Sequence, residues 1–409
     1  MSEALLLKSV KRRLASLKSR QRFIDYRESG PFAHELEAVL EEIESVVENP
    51  RHGIELIREF IETDGAVLGN SDDSNGSIGD VYKYSARDFF VRYAIQCEDK
   101  GWLYDVILGL YRQDEYGVRD FLIEAANSFL TEPWLRRMAD EFWELALQES
   151  GEYRRRHWFL SVEMIARQLK DAGLFERARR TMWPDLSTAA CIDIAEVYFE
   201  SGDTITALRW LERVPPEETV MADARDRLLL NIATRIGDQS RAEQAAWRIF
   251  RRYRSAETLS LLLSAVGQEQ KDDVLNGEIE LIQQDTVLNY SNVDFLIETE
   301  YVGVAERYVI DRRDQINGEI YPDLVSWART FERHERHLVV TIIYRALLDS
   351  ILRRGISKYY SHGIRYLRKL DQIAPKLVTL GIIAEHENYK ATLLSIHKRK
   401  FAFWSKYNQ

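Results

Sequence analysis

Gly173-Leu174-Phe175-Glu176-Arg177-Ala178, Gly202-Asp203-Thr204-Ile205-Thr206-Ala207 and Gly237-Asp238-Gln239-Ser240-Arg241-Ala242 share one register, a glycine followed five residues later by an alanine. In the first two copies an alanine also precedes the glycine by seven residues, Ala166 and Ala195, whereas the third has Leu230 there. Small residues at these offsets let two helices approach closely across a tight turn, so the register predicts stacked helical hairpins. The rest of the chain agrees. Only 8 prolines occur in 409 residues. They fall where helical patterns start or stop, at Pro31, Pro50, Pro133, Pro184, Pro215, Pro216, Pro322 and Pro375. Proline lacks an amide donor and clashes with the preceding turn, so this placement fits helices between them. Few segments alternate Val, Ile and Thr as strands do. The expected fold class is all-α.

The copies lie 29 and 35 residues apart, bracketing the roughly 34-residue period of tetratricopeptide-like repeats. An α-solenoid of stacked antiparallel helical hairpins, tetratricopeptide-like in the middle, is therefore expected. Three regions follow: N-terminal helices with an Asp/Gly-rich loop over 1–85, a degenerate helical-repeat region over 86–266, and a C-terminal helical region with a basic-aromatic tail over 267–409. Gln268-Glu269-Gln270-Lys271-Asp272-Asp273 is a polar candidate seam at the second boundary.

Charge and composition exclude several classes. The formal net charge of −10 argues against indiscriminate nucleic-acid binding, though not against a local basic groove. Two cysteines, Cys97 and Cys191, cannot make a disulfide framework or a thiolate zinc site. No apolar run approaches the roughly 18 residues that span a bilayer, and no signal-peptide pattern opens the chain. A cytoplasmic location is expected. No Gly-x-Ser-x-Gly elbow, phosphate-cradling Gly-x4-Gly-Lys-Ser/Thr loop or His-Glu-x-x-His pair occurs. The reading is non-enzymatic, with no catalytic residue, metal or cofactor assigned.

Residues 1–22 carry seven bases against one acid, and residues 35–48 carry six glutamates and no base. Each has an apolar stripe at helical spacing: Leu7, Val10, Leu14 and Leu17 on the first, Leu36, Val39, Leu40, Ile43, Val46 and Val47 on the second. The two are expected to pack through these stripes, a lipid- or RNA-docking basic helix being the alternative. Trp102, Tyr104, Trp134, Phe142, Trp143, Trp158 and Phe159 recur at intervals suited to a helix–helix interior.

Residues 63–82 form the one long Gly/Ser/Asn/Asp-rich stretch and read as a loop with turns. Within it, Asp72, Asp73, Asn75 and Asp80 are candidate interaction residues. With Gly76 at position six of a calcium loop, position twelve falls on Tyr82, where a bidentate Glu is needed. The competing reading has Asp and Ser side chains capping backbone amides, Gly76 and Gly79 at positive φ, and Asp80 capping the following helix. His334-Glu335-Arg336-His337 would put two histidines on one helix face, with no third ligand near.

Basic residues cluster at Arg154-Arg155-Arg156, at Arg177, Arg179 and Arg180, and at Arg241, Arg248, Arg251, Arg252 and Arg254. Arg155, Arg180, Arg241 and Arg252 are the candidates for an arginine-lined groove. Lys398 and Arg399 beside Trp404 mix charge with stacking surface, as nucleic-acid binders do. Against this, the arginines can pair with the many glutamates and the tail can fold back as a cap.

Five segments carry a family resemblance: Arg22–Ser29, Asp72–Asp80, Tyr344-Arg345-Ala346-Leu347-Leu348-Asp349-Ser350-Ile351-Leu352, Gly363–Leu367 and Lys398-Arg399-Lys400-Phe401-Ala402-Phe403-Trp404. In these the chain resembles an uncharacterised bacterial all-helical family related to the C-terminal region of some SWIM zinc-finger proteins. The resemblance implies a tetratricopeptide-like fold and no activity. The SWIM finger itself needs three cysteines and a histidine, which this chain cannot supply. The function expected is an interaction scaffold for a protein or peptide partner. Nucleic-acid binding through the arginines, or a helical enzyme without a visible motif, are the alternatives.

Overall fold

A computed structural model describes residues 3–377 and 381–409. Among these the chain is all-helical and contains no strand, only an isolated parallel bridge between Ile24 and Ser71. It divides into two compact units, Met1–Met221 and Ala222–Gln409.

In the first unit the basic helix Glu3–Lys18 packs on the acidic helix Tyr26–Val46. Val10, Leu14 and Leu17 are buried against Leu36, Val39, Leu40 and Ile43 in one apolar core. Arg13 reaches across to Glu42 at 2.9 Å. The stripes make this contact, because burying each such side chain contributes roughly 1.5–3 kcal/mol, whereas an exposed ion pair contributes about 1 kcal/mol or less. The aromatic interior is also present. Phe142 stacks on Trp158 at 5.5 Å, Tyr104 meets Trp134 at 5.3 Å, and Trp143 meets Phe159 edge-on at 5.2 Å.

The tight turns follow one design. In the pair Ala222–Ile236 and Gln239–Arg252, Gly237 takes φ +76°, the Asp238 amide donates back to Ala233 O at 2.9 Å, and Asp238 caps the Arg241 amide at 3.1 Å. Between Glu152–Leu169 and Ala172–Met182, Lys170 occupies the left-handed position at φ 54°. There the Asp171 amide donates to Ala166 O at 2.9 Å, and Asp171 caps the Leu174 amide. Before Thr204–Leu211, Gly202 also takes positive φ and Asp203 caps the Thr206 amide at 3.0 Å, but the turn closes through the Gly202 amide on Phe199 O instead of the longer wrap. Wrapping the chain end over the last carbonyls is a standard helix stop, and an aspartate starts the next helix. Positive φ also occurs at Met221, Gly267, Glu300, Glu335, Gly355 and Gly381. Of these, Gly267, Glu300 and Glu335, each between consecutive helices, continue a spacing of 30–35 residues from Lys170 as far as Glu335, without the aspartate cap.

This corrects the register of the first copy. Gly173 lies inside a helix, and Lys170-Asp171 is the equivalent of Gly202-Asp203 and Gly237-Asp238. A lysine can take the glycine position because its backbone strain, on the order of 1 kcal/mol, is offset by the turn bond and cap. Ala178, Ala207 and Ala242 are all buried, as are Ala166, Ala195 and Leu230.

Three further expectations change. Pro31 lies within the helix Tyr26–Val46 rather than at an edge, close enough to its start that one lost backbone bond is tolerated. The polar segment from Gln268 is helical, a short 3₁₀ turn running into Lys271–Gln284, with Val274, Leu275, Ile279 and Ile282 buried. The Gly/Ser/Asp-rich stretch contains short helices at Asp64–Leu68 and Ser77–Asp80, and a π-helical turn at Val81–Ser85. Val67, Ile78, Val81 and Tyr82 anchor these turns in the core, and that burial overrides the local preference for loop.

Candidate functional site

Asp72, Asp73 and Asn75 come together in one turn, but their oxygens serve the backbone. Asp73 accepts the Ile78 and Gly79 amides at 2.8 and 2.7 Å. Asn75 Oδ1 accepts the Ser77 amide at 3.1 Å, and its Nδ2 donates to the buried Ser29 Oγ at 3.1 Å. Asp72 Oδ1 takes the Ser74 hydroxyl. The capping role expected of Asp80 belongs to Asp73. Asp80 is exposed and forms no cap bond, because the helix it was read to precede starts earlier, at Ser77. Gly76 takes φ +74°, whereas Gly79 is helical.

The same turn meets the segment Arg22–Ser29. The Ile24 amide donates to Asn70 O, and the Asp72 amide donates to Ile24 O, both at 2.9 Å. Two distant motifs thus form one backbone-stitched corner. It offers caps and a bridge, and no group of three His, Cys, Asp or Glu placed to hold a metal occurs among the described residues. His334 and His337 do not share a helix. His334 ends Tyr321–Arg333, Glu335 takes φ 55°, and His337 starts the next helix.

Most of the basic clusters are paired within their units. In the first, Arg156 pairs with Glu152, Arg180 with Glu176 at 3.1 Å, and Arg179 with Glu163 at 2.6 Å and Asp193 at 3.0 Å. Arg177 lies over the Trp143 ring, and Arg155 is exposed on its helix. In the second, Arg248 and Arg252 converge on the buried Asp226 at 2.9 and 2.6 Å, and Arg251 and Arg254 on the buried Glu278 at 3.0 and 2.8 Å. These arginines mainly neutralise their own unit's acids.

At the C-terminus, Lys398 and Arg399 are exposed, but the aromatics beside them pack. Phe403 is fully buried, meets Tyr360 edge-on at 5.6 Å and lies against Gly363. Trp404 Nε1 donates to His397 O at 2.9 Å, and Tyr407 donates to Asp371 at 2.6 Å. Asp371 also takes His386 at 2.8 Å and Lys390 at 2.9 Å. Burial pushes the Asp371 carboxyl up, yet those three hydrogen bonds outweigh it and leave the group below its usual range.

The arrangement with most unmet chemistry lies elsewhere, in the second unit. The helix His337–Arg354, the turn after Arg313 and the residues from Ile382 to Tyr389 enclose a cleft of about 500 Å³. Arg345 lines it and is only 8 % exposed. Its Nη1 donates to Ala384 O at 2.9 Å and its guanidinium lies 4.2 Å from the centre of the Tyr389 ring. Nε and Nη2 have no partner, and neither does the buried Oγ of Ser350, which also lines the cleft. Burial lowers the Arg345 pKa from its ordinary value. One turn on, Asp349 accepts the Tyr389 hydroxyl at 2.7 Å. Burial pushes this carboxyl up, against the pull of that bond and of His397, Arg353 and Arg345. Arg313 and Arg353 line the cleft as well. Gly318 closes its wall: any Cβ there would collide with Ala346 O on the long helix.

This cleft was missed from sequence. Arg345 and Asp349 stand four residues apart amid Ile342, Ile343, Leu347 and Leu348, all buried, and charges on so apolar a helix were the available clue.

The fold and site define an all-helical protein whose least satisfied polar cluster is a buried arginine in a cleft. The chain belongs to a family of unknown function, DUF6880, whose model matches residues 2–182 and 148–406. No curated protein matches it.

Proposed function

We propose that this protein is a non-enzymatic interaction scaffold, a solenoid of stacked helical hairpins that binds a protein or peptide partner on its helical-repeat surface. The observation that carries this reading is the recurrence of tight helix–helix turns every 30–35 residues from Lys170 to Glu335. A repeat of one helical pair at that spacing is how extended recognition surfaces are built. The pairing of Arg180 and Arg252 with carboxylates supports a protein ligand over nucleic acid, since paired guanidiniums contribute less to phosphate binding. No helix of the described residues is long and apolar enough to cross a membrane, and a cytoplasmic setting suits the two free, buried cysteines.

The test is capture from native extract with and without nuclease, at roughly 50 and 300 mM salt, followed by direct titration of the captured protein against the purified chain. A partner that survives nuclease and high salt and then binds directly supports the scaffold. Recovery of nucleic acid alone, lost at the higher salt, overturns it in favour of the arginine groove.

A further inference from the structure

We infer that the cleft around Arg345 is a binding site for a carboxylate flanked by apolar groups, of the kind presented by the C-terminus of a hydrophobic peptide. This rests on the scaffold reading and names the feature of the partner that the second unit takes.

The argument starts from cost. A guanidinium carries five N–H donors and stays charged, so burying it with only one carbonyl acceptor on Nη1 leaves most of its capacity unmet. The buried Arg119 and Arg312 are better satisfied, although Arg312 Nε is also unpartnered. Arg119 has a carboxylate on two nitrogens, and Arg312 donates to the carbonyls of Tyr308, Gln283 and Asp285. Arg345 has no ion pair among the described residues, while Nε and Nη2, one edge of the planar fork, have no partner. Both atoms are sealed from solvent in this conformation, so a ligand reaches them only once the side chain turns that edge toward the cleft; a carboxylate is the group whose two oxygens then match it. The unpartnered Ser350 Oγ supplies a further donor in the same cleft.

The lining decides the charge of the ligand. Arg313, Arg345 and Arg353 are opposed by Asp314, Glu319 and Asp349. A dianionic phosphate would meet three acidic side chains in a partly desolvated space, whereas a single negative charge on the arginine fork is tolerated. Ile316, Ile342, Ile382 and Ile383 complete the wall and give an apolar neighbour of the carboxylate a surface to cover.

The experiment uses the full chain and four probes: acetyl-Ala-Ala-Leu with a free carboxylate, its C-terminal amide, sodium acetate and inorganic phosphate. Binding is read by calorimetry and by the shift in Tm. The free-carboxylate peptide is expected to bind saturably by calorimetry and to raise Tm with the logarithm of its concentration, by about 3 °C at ten times its Kd. The amide is expected to bind at least about tenfold more weakly, because it cannot neutralise the buried charge. Arg345→Met should abolish the response while the free protein is at least as stable as wild type. Arg345→Lys, which keeps charge but loses the fork, should lose about tenfold in affinity and guards against a misfolded methionine variant.

Equal binding of peptide and amide, or an unchanged response in Arg345→Lys, overturns the assignment. Acetate or phosphate matching the peptide overturns its peptide part. This titration needs no natural partner, so its outcome is separable from the capture experiment. A captured partner with no carboxylate response sinks this inference alone, and a carboxylate response with no captured partner sinks the scaffold alone.

Discussion

Arg119 in the first unit and Arg345 in the second are buried to nearly the same degree, 4 % and 8 % exposed, yet they are treated in opposite ways. Arg119 donates Nε and Nη2 to the two oxygens of Asp64, both at 2.7 Å, and Nη1 to Leu110 O at 2.8 Å. Asp64 in turn is 2 % exposed and takes the Gly65 amide. Arg345 makes one hydrogen bond and one ring contact. The difference separates a polar group that closes a structure from one that is left open. A closed pair repays its desolvation through two charge-assisted bonds, while an open charge is retained at a cost that binding can recover.

The comparison breaks most sharply at Asp64. Asp64→Ala strands Arg119 as a buried charge and should lower stability by about 3–5 kcal/mol in urea denaturation. Next comes the wall of the open site. Gly318→Ala drives a Cβ into Ala346 O and should cost about 1–3 kcal/mol and weaken the carboxylate response. Arg345→Met is the reciprocal of the first change, and should range from neutral to about 2 kcal/mol more stable. The same exchange at Arg119 should be strongly destabilising. If both arginine variants lose stability equally, the distinction between closed and open fails. Asp73→Ala, which removes a shared cap in the N-terminal corner, should cost about 1 kcal/mol without touching the cleft.

The smallest effect is the pH response of two C-terminal carboxyls. Asp349 is raised in the fold, so the native state holds its proton longer than the unfolded chain does. Its contribution to stability therefore falls as pH rises from the ordinary 3.8 through the raised value, and Asp349→Asn should remove that loss. Asp371 is lowered, so it contributes stability above 3.8 that is lost as pH falls through its lowered value. Asp371→Asn should flatten the acid limb of a stability–pH curve and leave the limb above 3.8 assigned to Asp349. A single variant that flattens both would contradict the opposite settings of the two groups.

Helical character was legible from the spacing of apolar residues, because a helix buries one stripe and that stripe repeats along the chain. The packing of the basic helix on the acidic one and the aromatic interior around Phe142 and Trp158 followed from the same periodicity. The stretch around Asp72–Asp80 stood out by its Gly/Ser/Asn/Asp composition, but the division of labour within it did not. Asp73 rather than Asp80 caps the helix, because the choice of cap depends on where core contacts of Ile78, Val81 and Tyr82 start the turn. Lys170 taking a glycine's place was invisible for a related reason: the conformation is set by the turn bond to Ala166 and the Asp171 cap, not by the residue's own preference.

Arg345 marks the limit of what sequence alone determines here. Its helix was readable, and so was its membership in a recognisable segment. Whether a charge on that helix faces water, finds a carboxylate, or stays unpaired depends on which distant residues cross it. Ala384, Tyr389 and Gly318 are brought there by the chain's path, and nothing local encodes that meeting. Local periodicity reports which face of a helix is buried; only tertiary structure reports what lies against it, since desolvation and hydrogen-bond satisfaction are properties of the whole neighbourhood rather than of the residue.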